Sequence, residues 1–165
     1  MQPTEKENYL KEAVQLCTIH VERMSFAYRK IEMYLPLTVD KYNQLSEEEL
    51  SFIDQLIFRF SKLQDSMGGK LFPALLENLG EETRGIPFLD LLSKLELLNL
   101  LQNGNDWLLL RETRNIVTHE YPFNTEDIIE GLNLLNKHYG LIISIWEKFD
   151  NYISNRFPNV KEINS

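Results

Sequence analysis

One stretch of the chain concentrates side chains able to carry charge, protons and hydrogen bonds. Leu110-Arg111-Glu112-Thr113-Arg114-Asn115-Ile116-Val117-Thr118-His119-Glu120-Tyr121-Pro122 holds two Arg, an Asn, a His, two Glu and a Tyr in what reads as a short helix. Such a cluster is costly to bury, and near a helix end it serves a site more often than a core. Arg114 and Tyr121 are seven residues apart, close to two turns, so a helix sets both on one face with Thr118 between them. Arg114 and His119 are five apart, roughly 140° around an ideal helix. One straight helix therefore does not put Arg beside His. Either the helix ends before Tyr121, which Pro122 favours, or two copies of the segment meet and each supplies the other's neighbour. The plain alternative for Arg114, His119 and Tyr121 is a helix end carrying surface polar groups.

The elements that must position this segment are helical. Leucine occurs 27 times and valine five times, a bias toward helix over strand. Leu10, Val14, Cys17, Val21, Met24, Tyr28, Ile31 and Leu35 recur in steps of four and three, which predicts one long helix. Thr4 and Glu7 suit its start and Pro36 its end. A second helix is expected from Ser46, capped with Glu49, along Leu50, Ile53, Ile57, Phe60 and Met67, and broken or kinked at Gly68-Gly69. Shorter helices follow over Leu71 to Leu79, along Phe88, Leu91, Leu92, Leu95 and Leu98, and from an Asp106 cap through Trp107, Leu110 and Val117. Asn124 caps the last helix, whose seam is Ile128, Leu132, Leu135, Tyr139, Ile142, Trp146, Phe149 and Ile153. The expectation is an all-α, up-and-down bundle of about five helices, forming a single domain over residues 1–165. Its two long seams can zip to one another or to a second copy of the chain.

Charge limits what such a bundle can bind. The 165 residues carry 17 Lys and Arg against 25 Asp and Glu, a net charge of −8. That argues against gripping nucleic acid through bulk positive charge. A local basic rim could still form from Arg59, Lys62, Lys70, Arg111 and Arg114. A single cysteine allows no internal disulfide. The polar start and the lack of a membrane-length apolar run lead to the expectation of a cytoplasmic protein away from membranes. One Cys and three His leave no zinc motif, and no metal or cofactor is expected.

Arg114-Asn115-Ile116-Val117-Thr118-His119-Glu120-Tyr121 resembles the Arg-X4-His-X-Tyr form of the HEPN signature. HEPN domains are small helical bundles, many of them ribonucleases, and the Tyr-bearing form is similar to the HepT-like toxins of toxin–antitoxin pairs. The resemblance implies a homodimer whose two motifs face each other across a cleft. It implies metal-independent RNA cleavage by transfer to the ribose 2′-hydroxyl. His119 would then act as general base or acid. Arg114 would hold the scissile phosphate, and Asn115 would orient a neighbour. The implied antitoxin is a minimal nucleotidyltransferase that adds AMP to Tyr121 and so blocks RNA. A family member that has lost cleavage would remain a non-catalytic binding partner of that transferase.

Other polar residues have plainer readings. Arg111 lies one turn before Arg114 in a supporting position, yet can pair with Glu112 or Asp106 at the surface. Arg59 and Asp65 interrupt the apolar stripe of the second helix; they can support the site from behind, and a solvated face is the simpler reading. Gly68-Gly69-Lys70 lacks the spacing and preceding strand of a phosphate loop. His20 reads as a boundary residue, His138 as structural or exposed, and Cys17 as a small buried hydrophobe. The Trp and Tyr residues at seam positions read as core.

Overall fold

The computed structural model describes residues 4–119 and 124–161, and every regular element among them is helical. Helix α1 (Glu5–Ile31) starts at Thr4, whose hydroxyl accepts the Glu7 amide at 3.1 Å. The expected stripe is buried at Leu10, Val14, Cys17, Met24 and Ile31 and half-buried at Val21 and Tyr28. A 3-10 turn over Glu32–Tyr34 ends the helix before Leu35 is reached. A short α2 (Val39–Gln44) follows, capped by Thr38. At six residues it is too short to show a periodic stripe, so the sequence pattern misses it.

Helix α3 (Glu47–Ser66) begins with a complete capping box: Ser46 Oγ accepts the Glu49 amide and Glu49 Oε1 accepts the Ser46 amide. The glycine pair does not break the chain of turns. A π turn over Met67–Leu71 leads directly into α4 (Phe72–Asn78). Gly80, at φ +86°, then reverses the chain in a conformation that favours glycine. Helix α5 (Phe88–Leu97) buries Leu91, Leu92 and Leu95 behind Pro87. Helix α6 (Gly104–Val117) is capped by Asn103, which accepts the Asn105 amide, and Asp106 falls in the first turn instead. Helix α7 (Thr125–Arg156) is capped by Asn124 and buries Leu132, Leu135, Ile142, Trp146, Phe149 and Ile153 of the expected seam, with Ile129 and Ile145 added. The described residues therefore form seven α-helices rather than about five.

Pairings along the helices fix their directions. Phe26 meets Phe52, Arg23 meets Gln55, His20 meets Arg59 and Lys6 meets Asn78, so α3 and α4 run antiparallel to α1. Thr113 meets His138 and Val117 approaches Gly131, so α7 runs antiparallel to α6. The main neighbour of α1 is α3, and that of α7 is α6. The two long seams touch where Tyr28 and Tyr139 stack at 3.8 Å and their hydroxyls bond to Asn136 and Ser25. Between the layers, Trp107, Phe72 and Phe149 form a row at centroid spacings of 4.6 and 4.7 Å, the first pair tilted and the second stacked. That row holds α6 against α4 and α7, and so sets the height of the polar segment that follows on α6.

Candidate functional site

The end of α6 falls between Arg114 and His119, so the roughly 140° offset of an ideal helix does not apply to the pair. The last helical residue is Val117, well before Pro122. Thr118 caps the end: its amide reaches back to the Arg114 carbonyl at 3.2 Å, and its hydroxyl donates to the same carbonyl at 2.8 Å. The His119 amide makes a tighter i→i−3 bond to Ile116. His119 thus leaves the helical path after one turn and lies with Arg114 along one cleft of about 610 Å³. Gly131 on α7 faces this end: a Cβ there would lie at ordinary contact distance, 3.5 Å from Val117 and 3.7 Å from Ile116.

Arg114 is held from a second helix. Its Nε and Nη2 donate to Oδ1 and Oδ2 of Asp65 on α3, each at 3.0 Å, and Nη1 donates to Thr118 Oγ1 at 3.3 Å. This is the two-pronged guanidinium–carboxylate geometry, which fixes the plane of the guanidinium as well as its place. The two side chains are 32% and 42% exposed, so the pair stands at the mouth of the cleft, where an ion pair orients more than it stabilises. Asp65 was legible only as a polar interruption of an apolar stripe. Its partner lies 49 positions away, and no helical spacing predicts that.

The cleft gathers Asp65, Lys62, Arg114, Thr118 and His119, walled by Ile53, Ile57 and Val117. Lys62 also lies over the exposed Phe58 ring. Other candidates go elsewhere. Arg59 turns to α1, where its Nη1 lies 3.0 Å from Nδ1 of buried His20, and it takes no part in the cleft lining. Asn115 is exposed, and its side chain makes no hydrogen bond among the described residues. Arg111 does not pair with Glu112 or Asp106; it lies over the Phe88 ring and lines a neighbouring cavity. The five-residue basic rim is accordingly divided, with Lys62 and Arg114 at the cleft. Tyr121 lies outside the described residues.

The remaining titratable groups of interest are internal. His20, expected at a boundary, is buried, and burial first, then Arg59, Lys62 and Lys70, hold its imidazole below the usual value. His138 is buried against Thr113, at 2.9 Å from Oγ1. The same hydroxyl lies 2.9 Å from the Leu109 carbonyl, so Thr113 bridges the ring and the helix backbone. Burial pushes the Cys17 thiol up to about 12, which suits a packed hydrophobe and not a nucleophile. Among the described residues no three His, Cys, Asp or Glu gather as a metal site requires, and no helix is long and apolar enough to cross a membrane.

Comparison with protein-family models, with curated proteins and with solved structures gives no match. Among the described residues the fold and the site define an all-helical protein with a cleft lined by Arg114 and His119 where α3, α6 and α7 meet.

Proposed function

We propose that the chain is a HEPN-type toxin: a metal-independent endoribonuclease restrained by a nucleotidyltransferase antitoxin. The observation that supports this most is the cleft in which Arg114, oriented by Asp65, lies with His119. Asp65 and Thr118 engage three of the guanidinium's five N–H groups. The two that remain can bind the non-bridging oxygens of a phosphodiester and offset the charge that develops on them. His119 would take the proton from the ribose 2′-hydroxyl as that oxygen attacks phosphorus, or return one to the departing 5′-oxygen. A second copy would set another Arg114 and His119 across the cleft, as the resemblance implies for a homodimer. A strict monomer at micromolar concentration in solution would remove this shared site. AMP on Tyr121 would place bulk and negative charge beside His119 and shut out RNA. Co-expression with the transferase should then add one or more AMP units to Tyr121 by mass.

The reading is tested by expressing the chain without its partner. Wild type should arrest growth and degrade RNA, and His119→Ala should do neither. A harmless wild type that leaves RNA intact, matched by His119→Ala, ends the enzyme reading.

The net charge of −8 favours a second reading: a non-catalytic module that presents a binding surface to the transferase. RNA cleavage that disappears in Arg114→Ala is incompatible with it.

A further inference from the structure

We propose that the α3 wall of the cleft is a nucleobase site for single-stranded RNA. One base stacks on the Phe58 ring, its exocyclic amine donates to Asp54, and the adjoining phosphate meets Lys62. This deepens the reading that Arg114 faces a phosphodiester and rests on it for the identity of the ligand.

All three side chains line the same cleft as Arg114 and His119. Asp54, Phe58 and Lys62 stand four apart on α3, so they follow one another along one face, about 6 Å apart on the axis. Asp65, three positions further on, holds Arg114. The wall therefore runs in order from a carboxylate through an aromatic ring and a cation to the guanidinium. Phe58 is 51% exposed, and among the described lining residues it is the one large apolar side chain that stands exposed. Its apolar neighbours Leu50, Ile53 and Ile57 are buried or half-buried. Two cations lie at the ring, with Arg59 Cζ 5.2 Å and Lys62 Nζ 5.7 Å from its centroid. Arg59 is anchored to His20. Lys62 is exposed and makes no ion pair or hydrogen bond among the described residues, so its long side chain can move from the ring to a ligand oxygen. Asp54 is likewise exposed and has no such partner there.

An exposed aromatic with cations at its rim is the kind of platform on which single-stranded RNA stacks a base while its backbone meets the charges. A protein partner calls for a contiguous apolar patch, and here one ring stands among charged groups. A carboxylate repels phosphate, but Asp54 lies eleven positions before Asp65, about 16 Å along the axis. It is beside the ring and away from Arg114. There it can accept an N–H from a base edge, as carboxylates do from the cytosine amine. Uracil has no exocyclic amine and presents oxygens, which a carboxylate disfavours. The site thus selects an amine-bearing base, on the nucleotide whose phosphate neighbours the one at Arg114.

The test measures binding of the full-length protein to fluorescent oligocytidylate and oligouridylate, each methylated on its 2′-hydroxyls so that it cannot be cut. Oligocytidylate should bind about tenfold more tightly, the scale of one hydrogen bond to a charged group. Phe58→Leu keeps an apolar side chain but removes the stacking face. It should weaken oligocytidylate binding about tenfold, and Phe58→Trp should retain it. Asp54→Asn, whose amide can also donate, should bring the two oligomers level. Lys62→Gln should weaken both and lower the slope of log affinity against log salt by about 0.7. All three positions are exposed, so each variant should keep the wild-type circular dichroism. Equal affinity of wild type for the two oligomers, unchanged affinity in Phe58→Leu, or no binding of either oligomer overturns the proposal. Sedimentation of Phe58→Leu as a monomer where wild type is a dimer would overturn it in favour of a contact between copies. RNA cleavage by wild type with these affinities unmoved would sink the base site alone. Base-selective binding by a protein that cuts no RNA would sink the nuclease reading alone.

Discussion

Arg114 can serve a phosphate only if its guanidinium plane is fixed, and Asp65 fixes it from another helix. Asp65→Asn keeps the shape but removes the charge and one acceptor. The exposure of the pair limits its stabilising worth to about 1 kcal/mol or less. The variant should therefore melt within a few degrees of wild type, yet cut RNA about tenfold to a hundredfold more slowly, the usual effect of misaligning a positioned group. Equal loss of melting temperature and activity would mean that Asp65 only holds the fold. The buried histidines carry a pH signature instead. Burial above all lowers the pKa of His20 and His138 in the folded chain, aided by nearby cations and opposed at His138 by Glu112. The unfolded chain gains those protons as pH falls below about 6.5. Their contribution is thus complete above that value and is lost progressively as pH falls toward the lowered folded values. Thermal melts from about pH 7.5 to 5.5 should fall less steeply in the His20→Gln/His138→Asn variant than in wild type. Parallel curves would contradict the assignment.

The early end of α6 at Val117 is the feature that brings His119 and Arg114 to one cleft. Pro122 made a helix end legible, but the end lies several residues sooner, because Thr118 turns both its amide and its hydroxyl back on Arg114. The regular stripes on α1, α3 and α7 were readable because helices of 20 residues and more repeat their pattern several times. The six-residue α2 and the π turn at Gly68-Gly69 were not: one is too short to show a period, and the other depends on Trp107 packing across from another element. Pairings such as Arg114 with Asp65, or the unpaired indole of Trp107, likewise arise between elements and leave no mark in spacing. Two glycines on α7 test the geometry at this scale. Gly131→Ala fits ordinary contact distances, whereas Gly131→Leu must push Ile116 and Val117 away. Alanine should cut RNA at near the wild-type rate, and leucine about tenfold more slowly with helicity unchanged. Gly140 is exposed, with nothing near its Cβ position. Gly140→Ala should raise the free energy of unfolding in urea by about 1 kcal/mol; a decrease would show that α7 needs the glycine.

For the whole molecule, the proposed nuclease reading has to meet the acidic balance. A net charge of −8 argues against a broad basic surface, and four of the five candidate rim residues are divided between Arg59 on the α1 side, Lys62 and Arg114 at the cleft, and Arg111 in the adjoining cavity. Two to three phosphate contacts correspond to a slope of about −1.4 to −2.1 in log affinity against log salt for a single strand. A much steeper dependence would reveal a basic surface elsewhere. The central claim is that Arg114 and His119 together cleave RNA. Its most direct test is the rate of cleavage of end-labelled single-stranded RNA by purified wild type, Arg114→Ala and His119→Ala, with EDTA present throughout. The nuclease reading predicts cleavage by wild type in EDTA, leaving 2′,3′-cyclic phosphate ends, and a loss of about a hundredfold or more in each variant. RNA left uncut by wild type, or cut equally by all three proteins, would contradict it.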